Sequence, residues 1–88
     1  MQIENVAEAL SAVEDILAKN GEIMGLLKQV KEFTETGGNA LAAVLGEDSE
    51  SVGLFRTADS EADTNMGLCA SFGAELDILK DSINALNT

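Results

Sequence analysis

Apolar residues recur along this chain at intervals of three and four. Near its start Ile3, Val6, Leu10, Val13 and Leu17 keep that rhythm, and near its end Phe72, Leu76, Leu79, Ile83 and Leu86 repeat it. At 3.6 residues per turn, such spacing gathers each set into one stripe along a helix. A stripe of this kind is buried against another helix, in the same chain or in a neighbour.

Punctuation between the stripes predicts the elements. The first helix spans about 3–19, with Glu4 and Glu8 near its start and Lys19 at its end, as the helix dipole favours. Asn20-Gly21 reads as its stop, glycine taking the left-handed conformation that follows a helix. A second helix spans about 22–36, with Ile23, Leu26, Leu27, Val30 and Phe33 inward and Lys28, Gln29, Lys31, Glu32 and Glu35 outward. Continuing the first stripe through residue 20 reaches Met24 and Leu27, about one residue out of step with this second set. Residues 20–21 therefore read as a break, with a three-residue stammer in one long helix as the alternative. Gly37-Gly38 ends the second helix, and Asn39 caps a short one over 40–45 that Gly46 closes. From about 47 to 65 no period is visible, and the segment reads as an acidic loop pinned by Val52, Leu54 and Phe55. The last helix spans about 66–86. Gly67 and Gly73 each weaken it by about 1 kcal/mol relative to alanine, and a glycine there can admit a neighbouring helix. The expected fold is a single all-α domain over 1–88, a helical hairpin or a small three- to four-helix bundle with coiled-coil-like packing.

Composition sharpens this picture in one respect: the core is thin. A chain of 88 residues buries only about 60–65% of its unfolded surface. There is no Trp, Tyr, Pro or His, and one cysteine, Cys69, which excludes an internal disulfide. Leu, Ile, Val, Ala and Met must form the core, and association is then an accessible further source of stability. Charge narrows the partners. Sixteen Asp and Glu against five Lys and Arg give a net charge of −11. That excludes direct nucleic-acid binding, which needs a basic footprint, and an anionic membrane surface. It admits self-association and a basic protein partner. No membrane span or export signal is expected, and the lone thiol fits the cytoplasm or a particle assembled there.

Candidate chemistry is sparse. Cys69 has no histidine or lysine beside it in sequence to activate it. Asp59, Glu61 and Asp63 alternate as calcium-loop ligands do, but Thr64 and Ala70 stand where such a loop needs Gly and Glu. Asp48-Ser49 resembles the Asp-Ser of acyl carrier proteins, yet Glu50 follows where that family has Leu, so no phosphopantetheine site is assigned. No catalytic, cofactor or metal residue is expected, and the chain is read as a non-enzyme. The leading expectation is a structural or interaction protein that works by helix packing, in a homo-oligomer or a larger particle of virion or secretion type. Its packing interface is then the ten residues of the two stripes, Ile3 to Leu17 and Phe72 to Leu86. The alternative is a small acidic inhibitor or adaptor, such as a phage-type nucleic-acid mimic. It would present Glu47, Asp48, Glu50, Asp59, Glu61 and Asp63 to a basic nucleic-acid-binding protein.

Overall fold

The computed structural model describes residues 3–86, and side chains from 5 to 86. Two α-helices make up this span: α1, Ile3–Leu45, and α2, Glu50–Leu86. They pack along their whole length as an antiparallel hairpin, and no strand occurs among the described residues. Its extents are 64 × 15 × 13 Å. At about 1.5 Å per residue the 43 residues of α1 account for the full length of the rod.

The all-α class holds, and the hairpin is the form it takes. The further helix boundaries do not hold: the described residues make two helices, not three or four. The stops expected at 20–21 and 37–38 lie inside α1, and α2 begins at Glu50, so most of the expected acidic loop is helical. The reason is visible in the seam between the helices. On α1 the shielded positions continue the first stripe in unbroken four–three steps: Val6, Leu10, Val13, Leu17, then Asn20, Met24, Leu27, Lys31, Thr34, Gly38 and Leu41. On α2 they run Val52, Phe55, Asp59, Ala62, Met66, Cys69, Gly73, Leu76, Lys80 and Ile83. Asn20 and Lys31 are seam residues, not a stop and an outward charge.

Toward the open end the seam is apolar, with Val6, Val13, Leu76 and Ile83 buried and Leu10 and Leu17 packed on them. Near the turn Val52 is fully buried. Polar layers lie between. Asn20 Nδ2 donates to the Cys69 carbonyl at 3.0 Å, and Cys69 Sγ donates to Asn20 Oδ1 at 3.2 Å. Gly73 leaves room for that amide: a Cβ there would stand 3.2 Å from Asn20 Nδ2. Gly37 and Gly38 do not end α1 because α2 lies over them. A Cβ on Gly37 would stand 2.6 Å from the Phe55 ring.

The turn itself is residues 46–49. Gly46 has φ +84 and its N–H donates to the Ala42 carbonyl at 2.8 Å, a left-handed stop of the kind glycine favours. Ser49 precedes α2 as its cap residue, and its carbonyl accepts from the Gly53 N–H at 3.0 Å. Arg56 ties the turn to both helices. Its Nη2 donates to Glu47 Oε1 at 2.8 Å and to Asn39 Oδ1 at 3.0 Å.

Candidate interaction surface

The positions next to the seam divide the rod into two unlike edges. On α1 the residue before every second seam position, together with the residue three further on, forms a second four–three series. It contains Ala9, Ala12, Ile16, Ile23, Leu26, Val30 and Phe33, then Ala40 and Val44. Of the five residues expected to face inward on a separate second helix, Ile23, Leu26, Val30 and Phe33 belong to this series and point out, and only Leu27 lies in the seam. Phe33 is 70% exposed and Leu26 59%. On α2 the matching flank carries Leu54, Leu68, Phe72, Leu79 and Leu86, all exposed. In an antiparallel pair these two flanks lie on the same side. Of two shallow grooves, one joins the flanks, lined by Ile23, Leu27, Leu68 and Phe72 with Asn20, Asn65 and Cys69. The other, nearer the turn, is lined by Thr34, Ser51, Leu54, Phe55 and Ala58. One broad side of the hairpin is thus mainly apolar, with Lys19, Glu61 and Glu75 as the charges set into it.

The opposite edge is ionic. Lys31 Nζ lies 2.9 Å from both Asp59 Oδ2 and Asp63 Oδ2, and 3.5 Å from Glu35 Oε1. Asp63 and Asp59, accepting from its ammonium, raise the Lys31 pKa above the ordinary lysine value. The Asp59 carboxyl is held low, first by Lys31 and then by the Thr34 hydroxyl 2.9 Å from its Oδ1. That hydroxyl is also 2.9 Å from the Lys31 carbonyl, so its single proton serves one acceptor at a time. The Glu47 carboxyl is likewise held low by Arg56. None of the described acids of α1 stands in the apolar flank, whereas α2 contributes Glu61 and Glu75 to it, with Lys19 as the cation of α1.

The two expected interfaces are distributed as follows. Val6, Leu10, Val13 and Leu17 line the seam with Leu76 and Ile83, while the side chain of Ile3 lies outside those described. Phe72, Leu79 and Leu86 belong to the exposed apolar side. Of the acidic set, Glu47 is paired with Arg56, and Asp59 and Asp63 with Lys31. Asp48, Glu50 and Glu61 are exposed. At about 1.5 Å per residue the turn acids stand about 20 Å from Asp63, with Arg56 between them in sequence, so the set is not one continuous negative patch. Sequence reasoning missed the outward stripe of Ile16, Leu26, Leu54 and Leu68. The signal for it was present: two interleaved four–three series in α1, of which one partner helix can cover only one.

No helix of the hairpin is long and apolar enough to cross a membrane. No protein-family model, curated protein or solved structure matches this chain. The class the geometry defines is therefore that of an amphipathic helical hairpin, apolar on one broad side and ionic on the other.

Proposed function

We propose that this protein is a non-enzymatic assembly module, acting in the cytoplasm or in a particle built there. It joins helices through the apolar side of its hairpin. The observation that carries this reading is the second stripe. Val13, Leu76 and Ile83 satisfy the seam within the chain, yet Ile23, Leu26, Phe33, Leu68 and Phe72 remain in water on one contiguous side. Exposed apolar patches of that extent on a small protein mark interaction surfaces. The single thiol, engaged with Asn20 in the seam, agrees with a packing role for Cys69.

The acidic-inhibitor reading has less behind it, because three of its six carboxylates are already paired within the chain. The two readings part on salt: a charge-driven complex weakens steeply as ionic strength rises, and an apolar one does not. The test is capture from extract of the cells that make the protein, comparing wild-type bait with a Leu26→Glu, Leu68→Glu bait at low and high salt. Wild type should hold its partners, copies of itself included, at both salt levels, and the double variant should lose them. Identical captures by the two baits would overturn the proposal.

A further inference from the structure

We infer that the occupant of the apolar side is a second copy of this chain, placed so that α1 of one copy lies along α2 of the other in a four-helix bundle. This rests on the assembly reading above and names its partner.

Area is the first support. A compact protein of 9.2 kDa exposes about 4,900 Å², whereas this chain exposes 6071 Å². The excess, about 1,100 Å², is more than the roughly 800 Å² that each partner hides in a stable pair. The apolar side is also large enough to supply it, on a rod 64 Å long and 15 Å across its wider dimension.

Relief is the second. Seam contacts fix which residues stand level: Asn20 with Cys69 and Gly73, Lys31 with Asp59 and Asp63, Gly37 with Phe55. On that ladder α2 is high where α1 is low at two places. Leu54 stands level with Gly37 and Ala40, and Leu79 with Ala12. Next to the first of these, α1 is high at Phe33, which stands level with Ala58, and in the middle both helices are high, Ile23 standing level with Leu68. A two-fold axis along the rod sets Leu79 over Ala12 and Phe33 over Ala58 of the other copy, ridge over hollow, and brings Ile23 against Leu68 in the middle. The same operation brings Lys19 of one copy within about a turn of Glu75 of the other, opposite charges in a contact that also sets Glu61 beside Val30. A perpendicular axis would instead lay α1 on α1, with Lys19 near Val30.

The experiment uses the whole chain. Sedimentation equilibrium of the purified protein at micromolar concentration should give twice the chain mass. Raising NaCl from about 0.05 to about 0.5 M should tighten the pair, because salt screens the repulsion between two anionic copies. Leu26→Glu with Leu68→Glu should weaken it by at least about 100-fold. Both sites are exposed in the single hairpin, so circular dichroism of the dilute variant should still report helix. For the arrangement, Ala12→Cys chains are mixed with Leu79→Cys chains, each also carrying Cys69→Ser. The mixed disulfide should form faster than either self-pair. A wild type that stays a monomer at every concentration and salt overturns the inference, as does a dimer that loosens with salt or survives the double variant. A dimer lacking the mixed disulfide overturns the arrangement. The assembly reading falls separately, only when wild-type and double-variant baits also capture alike.

Discussion

Two glycines of α1 lie sixteen positions apart in the same helix, and a methyl group added at each should move stability in opposite directions. Around Gly21 nothing stands within 4 Å of where a Cβ would sit. Gly21→Ala then acts through backbone freedom alone and should stabilise by about 1 kcal/mol. In a domain this size that is a rise in Tm of about 4–8 °C. At Gly37 the new carbon would meet the Phe55 ring at 2.6 Å. Gly37→Ala should lower Tm, because the ring is held between the helices. Thermal melts of the two variants decide both, and a stabilised Gly37→Ala would show that α2 can retreat. Asp59 makes a second claim at this scale. Lys31 and then Thr34 hold its carboxyl below the ordinary value of 3.8. A carboxyl whose folded pKa is depressed adds stability that is complete above its unfolded value and lost as pH falls through the folded one. The stability gap between wild type and Asp59→Asn should therefore be full at neutral pH, shrink below about pH 4 and close in stronger acid. Urea titrations at several pH values would measure it, and a gap independent of pH would remove the ionic account.

At the scale of the helices, the polar layers explain both the register and why half of the architecture was hard to see. Slipping the seam by seven residues would set Lys31 beside Val52 and Phe55 or beside Met66 and Cys69, leaving an ammonium against apolar neighbours. Such buried polar positions select one alignment of a helix pair at some loss of stability. Lys31→Met alone should lower Tm at neutral pH, since it strands Asp59 in the seam. Lys31→Met with Asp59→Leu should recover at least that loss while allowing other alignments, seen as a broader melt. If the double variant melts no higher than the single one, the layer is not the source of the loss. These layers also mislead a reading of the apolar pattern. The rhythm of Val6 to Leu17 passes through Asn20 to Met24 and Leu27, but an Asn-Gly pair there looks like an ending. Likewise Val52, Phe55, Ala62 and Met66 keep step across 50–65, with Asp59 concealing the beat among neighbouring acids. Helical class and the first stripe are legible because the seam positions from Val6 to Leu17 are all apolar, whereas in the second stripe only Leu76 and Ile83 are seam residues, Gly73 and Lys80 taking the seam places between the outward Phe72, Leu79 and Leu86. The middle was not legible, because its seam positions are Lys31, Thr34, Gly38 and Asp59, which carry no hydrophobic signal and take their places only when the facing helix is present.

For the molecule as a whole, the decisive contrast is between two leucines of α2, eight residues apart. Leu76 is 4% exposed in the seam and Leu68 is 63% exposed on the apolar side. Glutamate at either adds the same charge to a chain already at −11, so any general effect of repulsion is common to both. The difference is what each position is buried against. Leu76→Glu puts a carboxylate between Val13, Leu17 and Ile83, where it must be either desolvated or protonated. Losses above about 3 kcal/mol are usual for such changes, and with so thin a core the hairpin should lose most of its helicity at room temperature. Leu68→Glu leaves the seam intact, so its dilute solution should retain wild-type helicity. What it should lose is the part of wild-type stability that depends on protein concentration, because only association buries that position. Wild type should thus show a Tm that climbs with concentration, and Leu68→Glu a Tm that does not. If instead both variants unfold alike, then the seam and the outer side form one cooperative unit and the hairpin has no independent existence. If neither unfolds, the leucines of α2 are not what holds the rod together.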